Sequence, residues 1–336
     1  MSDGEPTPIA SPTLVRTIIA DRGDAGRRVD LVLRRHLTDI GKATRTRVQS
    51  WIEDGRVTIN GHLVQRVSSR TALGDEVTIL FPDDVRPAPV LPEEGLLERL
   101  YEDDELMVVN KPAGIVSHPT FGHPTGSLLN TLLWDARTWP SAQRPSLVGR
   151  LDKLTSGAVV VAKTTIAHAR LQRILASSRS VKSYLAVVYG PVATEQGDIS
   201  LRLRRDANDR RRVVATLDDG LVSRTRFERL AQADAAGCPV ALVRCRLATG
   251  RMHQIRVHLT ASGWPLIGDP KYGEARWELA RAGGVRDALH AFNRQALHAW
   301  KLSFAHPFTG DGIEVTAPVP ADMSQLLDVC GLPLPQ

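Results

Sequence analysis

Apolar residues recur at Val29, Val32, Leu33, Leu37 and Ile40, with His36 on the same stripe, a spacing that turns one face of a helix inward. A second helix is predicted from Thr44, whose hydroxyl suits a helix N-cap. It carries Val48, Trp51 and Ile52 on its inner face and stops at Gly55. Arg56 to Val64 reads as a hairpin turning at Asn60-Gly61, a pair that tolerates the left-handed backbone such turns need. Farther on, Glu105 to Asn110 and Ala158 to Ala162 are short apolar runs of the kind that form buried strands. Thr165 to Ala176 puts Ala167, Leu171, Ile174 and Leu175 on one helical face. Ala317-Pro318-Val319-Pro320 marks the chain leaving its last strand. Strands and helices mix without a regular repeat, which predicts an α+β fold with a mixed, largely antiparallel central sheet.

These patterns divide the chain. Residues 1–12, rich in Ser, Pro, Gly and acidic side chains, are expected to be a mobile tail, and residues 13–81 a small α/β unit. Residues 82–97 form a proline-rich linker, with four prolines between Pro82 and Pro92, and residues 98–325 a larger α+β unit. At 336 residues, 42% of them hydrophobic, the chain is long enough for two domains and a sizeable core.

Charge narrows the choice of partner. A net charge of +6 and a pI near 9.5 favour a polyanion over an acid-seeking partner. Six basic residues (Lys42, Arg45, Arg47, Arg56, Arg66 and Arg70) face only Glu53 and Asp54 between positions 42 and 70, and they could grip phosphates. A solvated helix face would carry the same residues. From Arg202 to Arg212 there are six arginines, Arg210 and Arg211 among them, around the turn-like Asp206-Ala207-Asn208-Asp209. This stretch fits either a basic loop reaching a polyanion or the polar face of a strand. Cys238, Cys245 and Cys330 offer neither a disulfide framework nor metal-ligand spacing, which suggests a reducing cytoplasm. No N-terminal signal and no run of about twenty apolar residues occurs, so a soluble protein is expected. His118, His123, His253, His258 and His298 pair with no Glu or Cys at familiar ligand spacing, so neither a metal nor another cofactor is expected.

Arg150-Leu151-Asp152-Lys153-Leu154-Thr155-Ser156-Gly157 sets a carboxylate among cations and turn formers directly before an apolar run. A polar turn at a strand end can hold a side chain out toward a cleft, and Asp152 is the candidate active-site acid. Taken alone, the same pattern also fits a solvated ion pair.

Around it lie Asn110-Lys111-Pro112-Ala113-Gly114-Ile115-Val116-Ser117-His118-Pro119, Lys182-Ser183-Tyr184-Leu185-Ala186, and Thr249-Gly250-Arg251-Met252-His253-Gln254-Ile255-Arg256-Val257-His258. Gly268-Asp269-Pro270-Lys271-Tyr272-Gly273 and Arg294-Gln295-Ala296-Leu297-His298-Ala299 complete the series. In this order the motifs closely resemble the RluA-type pseudouridine synthases, from Leu100 to about Met323. The two helices and hairpin ahead of them resemble the S4 RNA-binding domain. The resemblance implies an enzyme that turns a uridine within RNA into its C1′–C5 isomer, with ribosomal RNA of the large subunit favoured and transfer RNA possible as substrate.

It also implies roles. Asp152 would be the catalytic carboxylate, bonding to the sugar or removing its 2′ proton, and Arg256 the guanidinium that keeps it charged. Tyr184 would pack against the target base and help remove the C5 proton, though an ordinary strand aromatic would look the same. Arg150 would fill the gap left by a flipped nucleotide or clamp the backbone, unless it merely pairs with Asp152 at the surface. Asp269, Tyr272 and Lys111-Pro112 would shape the cleft. Most of the family has His before Arg-Leu-Asp where this chain has Gly149, so local loop geometry departs from the pattern. Two competing readings stay open: an RNA-binding or ribosome-assembly factor that kept the fold without activity, and a nucleoside glycosidase that liberates uracil. Oligomeric state is open as well.

Overall fold

A computed structural model describes residues 15–21, 23–37, 40, 43–82, 90–119, 124–209 and 211–335. The expected tail, residues 83–89 of the proline-rich stretch, Lys42, His123 and Arg210 lie outside the described residues. Contacts divide the described chain into two compact units that meet in sequence at Val90 and Leu91.

The N-terminal unit contains β1 (Val15–Ile19), α1 (Val29–His36), α2 (Arg45–Glu53), β2 (Val57–Ile59), β3 (His62–Leu63) and β4 (Glu76–Leu80). Its antiparallel sheet runs β1-β4-β2-β3. The predicted stripe of α1 is buried at Val29, Val32 and Leu33, while Leu37 and Ile40 continue into the core after the helix has ended. Thr44 caps α2 by accepting the Arg47 amide at 3.4 Å, and Gly55 leaves the helix at φ +72. Asn60 and Gly61, at φ 52 and 78, make the hairpin turn. Trp51 meets Phe81 edge to face at 5.6 Å, closing a core with Ile52, Val57, Val77 and Ile79. Arg28 and Gln49 both reach the fully buried Asp30 carboxylate, which ties α1 to α2.

The second unit is built on an eleven-stranded sheet of described residues. In chain order its elements are β5 (Glu98–Glu102), β6 (Leu106–Lys111), α3 (Leu128–Asp135), β7 (Ser146–Val148), β8 (Ser156–Ala162), α4 (Thr165–Ala176), β9 (Val181–Tyr189), β10 (Gln196–Arg205) and β11 (Val213–Thr216). There follow β12 (Leu221–Ala235), β13 (Cys238–Leu247), α5 (Gln254–Ala261), α6 (Gly284–Ala291), β14 (Leu297–Ala305), β15 (Gly312–Thr316) and α7 (Ala321–Val329). The strand order is β11-β10-β12-β13-β9-β14-β8-β6-β5, with β15 beside β14 and β7 beside β8. Among the described pairings only β8 with β14 is parallel, so the sheet is mixed and antiparallel-dominated.

Two features of this sheet create a cleft. Strand β8 pairs with β14 at Ser156 and Gly157 and then turns to β7 from Val160 onward, so the strands splay. Gly157 sits at φ +116, where a Cβ would lie 2.2 Å from the Ala299 carbonyl oxygen, so only glycine permits the approach before the split. Helix α5 packs its Ile255 and Leu259 on the sheet face carrying Val188, Phe227 and Cys245, and α6 and α7 cover part of the other face around Leu185, Val187 and Leu242. No helix of the described residues is long and apolar enough to cross a membrane.

Candidate active site

A cavity of about 280 Å³ opens where β8 and β14 part, lined by the Gly149–Asp152 loop, Tyr184 of β9, and the start of α5. This is near the lower end of ordinary small-molecule pockets. Asp152 lies between β7 and β8, its side chain 21% exposed, while the Arg256 guanidinium is almost wholly buried. Arg256 Nη1 donates to Asp152 Oδ2 at 2.8 Å, and Nε and Nη2 donate to the two oxygens of Asp269 at 2.7 Å each. One buried cation thus bridges two carboxylates.

The charge states follow from that bridge. Burial alone would push Asp269 up, but the Arg256 fork and the amides of Lys271 and Tyr272 hold it below the ordinary carboxylate range. Burial would equally favour neutral Arg256, and Asp269 and Asp152 outweigh it, so the guanidinium stays charged. Burial pushes the Tyr184 hydroxyl up to about 12, and the Asp152 charge adds to the effect.

The first turn of α5 is fixed by side chains of the motif around Arg256. Gln254 donates to the Arg224 carbonyl and the Thr225 hydroxyl at 3.0 Å each, and accepts from Thr249 and the Arg251 amide. His253 caps the helix in a left-handed conformation (φ 54). Its Nε2 stands 3.7 Å from Asp152 Oδ2, and its Nδ1 lies 2.8 Å from the Tyr272 hydroxyl, which also accepts the Val213 amide at 2.8 Å. A hydroxyl that accepts from Val213 can give its proton to Nδ1, leaving the imidazole proton on Nε2 facing Asp152. Burial first, then Arg256 and Lys271, lower the His253 pKa against the pull of Asp152 and Asp269, which disfavours the charged ring. The Tyr272 ring lies 4.9 Å from the Arg256 guanidinium.

The Asp152 loop is clamped from the opposite side. Ser117 Oγ donates to the Leu151 carbonyl at 3.1 Å and accepts its amide at 3.2 Å. Fully buried Lys111 donates to the carbonyls of Pro112 (2.8 Å), Ile115 (2.9 Å) and Lys153 (3.2 Å). Burial pulls its ammonium down to about 7, with Asp152 opposing. Gln295 holds the Thr155 hydroxyl at 3.0 Å. Both main-chain neighbours of Asp152 are therefore pinned.

The structure brings Asp152, Arg256, Tyr184 and Arg150 to one cavity. Arg150 is exposed at the rim, and no ion pair joins it to Asp152, so the surface-pair alternative is not what forms. Gly149 adopts φ +96 with no atom within 4 Å of where a Cβ would stand; its backbone, not crowding, calls for glycine. Arg45 is exposed, Arg47 lies 5.8 Å from the Trp51 ring, and Arg56 is half-buried; all three belong to the N-terminal unit. Arg211 is exposed on the β10–β11 loop. Ser117, Gln295 and the anchoring part of Gln254 escaped the sequence reading, although each stands within a quoted motif. His258 and His298 are core residues bonded to Ser223 and Ser156. The described residues do hold one cluster with ligand-like spacing, Asp21, Asp24 and His36, but Arg35 already donates to both carboxylates there.

A mixed sheet, a split-strand cavity and a carboxylate locked to a buried arginine make a site fit for chemistry, and comparison with known proteins gives its class. The family described as RNA pseudouridylate synthase matches residues 105–261, and the S4 domain matches residues 27–77. A Bacillus subtilis (strain 168) protein named an uncharacterized RNA pseudouridine synthase, YlyB, is 40% identical over 288 residues, 85% of this chain and 89% of that protein. The ribosomal large subunit pseudouridine synthase D of Vibrio vulnificus (strain CMCP6) is 37% identical, covering 90% of each chain. Its namesake in Xanthomonas campestris pv. campestris is 37% identical across 97% of this chain and 95% of that one. Human RNA pseudouridylate synthase domain containing 1 superposes with a TM-score of 0.52 at 26% identity, over 75% of this chain and all of that one. The chain belongs to the RluA family of RNA pseudouridine synthases and carries an N-terminal S4 domain.

Proposed function

We propose that the protein isomerises uridines of 23S ribosomal RNA in the cytoplasm, with Asp152 as the acting carboxylate. The observation that carries this is the 2.8 Å contact of Asp152 with Arg256, at the wall of a cavity and backed by Asp269. In the reaction the C1′–N1 bond breaks, the uracil turns within the pocket, and C1′–C5 forms. C5 loses its proton and N1 gains one, so the RNA keeps its mass and no cofactor is consumed. Asp152 serves either by bonding to the sugar or by taking its 2′ proton; both need an ionised carboxylate shielded from competing water.

Tyr184 packs against the base. With its hydroxyl held near 12 it stays protonated at neutral pH, which favours packing over proton removal. Exposed Arg150 at the cavity mouth is placed to meet the backbone or the gap of a flipped nucleotide. The ribosomal target is supported by the names of the Vibrio and Xanthomonas relatives and by the S4 domain, whose Arg45, Arg47 and Arg56, with Lys42, would grip phosphates. Domain limits of 13–81 and 98–325 fit this division of labour.

Purified protein should release tritium from C5-labelled uridine in large-subunit RNA, and Asp152→Asn should reduce release to background while RNA binding is retained. Release by that variant at the wild-type rate would end the mechanistic proposal. Mapping pseudouridine in RNA from cells with and without the gene tests the target.

A further inference from the structure

The pairing register gathers arginines far apart in sequence onto one sheet face. Asp198, Ser200, Arg202 and Arg204 of β10 alternate onto the same side, where Ser200 stands opposite Arg224 and Asp198 opposite Arg226. Arg226 in turn faces Arg246 of β13. Five of these arginines, Arg202, Arg204, Arg224, Arg226 and Arg246, are exposed. The alternate residues Leu203, Thr225, Phe227 and Cys245 point to the face covered by α5, the face that also carries Tyr184. The arginines therefore lie on the side of the sheet opposite the Asp152 cavity, beyond the part that α6 and α7 cover.

The geometry points to this face as a second phosphate-binding surface, one that holds the backbone of an RNA helix while another part of the same RNA occupies the cavity. Charge is the first argument. Asp198 answers both Arg224 (3.0 Å) and Arg226 (3.4 Å), and Asp219 answers Arg204 (3.1 Å). Arg202 and Arg246 have no carboxylate partner among the described residues. Residue type is the second. The cations here are guanidinium groups, whose planar fork matches phosphate oxygens, and they stand on a rigid sheet at strand spacing. Continuity is the third. Strand β11 forms the sheet edge, and the β10–β11 loop turns there; its Arg212 lies 5.5 Å from the ring of Tyr272, which bonds His253 beside Asp152. RNA passing over that end of the sheet would meet Arg212 between the cavity and the far face.

The inference rests on the proposed RNA substrate, and binding tests it apart from catalysis. In the full-length protein, Arg224→Gln, Arg226→Gln and Arg246→Gln together should weaken binding to transcribed large-subunit RNA by about tenfold at low salt and flatten the log–log salt slope by about 2.7, as expected for three lost phosphate contacts on a helix. A short stem-loop that spans only the cavity should bind as before, and the single-turnover rate at saturating RNA should be unchanged. Asp198→Asn, which removes the carboxylate shared by Arg224 and Arg226, should act oppositely and tighten binding. If the triple variant folds and binds long RNA with wild-type affinity and slope, or if Asp198→Asn weakens binding, the surface is not an RNA site. Wild-type protein that forms no pseudouridine would instead count against the proposed activity, whatever the binding curves show.

Discussion

Arg256 reaches Asp152 with a single nitrogen because Asp269 has engaged the other two, Nε and Nη2, at 2.7 Å. The guanidinium is thus aimed before any substrate arrives. Asp269→Asn would leave a buried arginine facing an amide NH₂, and breaking a buried pair in this way costs about 3–5 kcal/mol. The urea midpoint should fall accordingly, and the turnover of refolded protein should drop by about 100-fold through loss of aim at Asp152. Wild-type turnover in a stable Asp269→Asn protein would show that Asp152 needs no such support.

Arg256→Lys separates charge from geometry. An ammonium keeps the positive charge but cannot hold two carboxylates through a planar fork. Turnover should fall by about 100-fold while KM for RNA changes little, since the residue is buried and the phosphate-facing surfaces stay intact. A purely electrostatic role would leave kcat near wild type.

Much of this was legible from residue order, and the limits are physical. Helix α4 begins and ends where its pattern says, and Thr44, Asn60 and Gly61 perform their local tasks, because caps, turns and helical faces depend on neighbours in sequence. The Asp152–Arg256 pair came from the family likeness; no spacing rule joins residues 104 positions apart. Nothing in the sequence around Ser117 marks its hydroxyl, which holds both polar groups of Leu151 across 34 positions. The arginine face was beyond reach for the same reason: Arg226 and Arg246 become neighbours through strand register, which a one-residue slip would reverse.

Gly149 should resist substitution on backbone grounds. At φ +96 a side chain meets open space but a strained backbone, a cost of about 1–2 kcal/mol for left-handed conformations of ordinary residues. Gly149→Ala should lower stability by that amount, read from urea unfolding, and shift the adjoining Arg150, raising KM more than it lowers kcat. Equal stability of the two proteins would mean the loop relaxes without loss.

Deleting residues 1–81 should leave a folded second unit, since the chain divides into two compact units and each has its own core. Affinity for long RNA should fall and selectivity among uridines should relax, while the rate on a short stem-loop changes little. Full modification of long RNA at the original position by the truncated protein would assign the S4 domain another purpose.

Lys111 gives the molecule a predictable alkaline behaviour. Its folded pKa is depressed from 10.5 to about 7, so between those values the unfolded chain binds more protons than the folded one. Stability must then rise with pH across that window, the full burden of burying the ammonium being present below 7 and gone above 10.5. Lys111→Met abolishes this titration, and it strips a donor from the carbonyls of Pro112 and Ile115, a loss of about 1–3 kcal/mol per group left unpaired. Urea midpoints of the two proteins should therefore diverge as pH climbs from 7, the wild type gaining on the variant. Parallel curves would mean that the three carbonyls compensate the buried charge, and the Asp152 loop would then be held equally well at every pH.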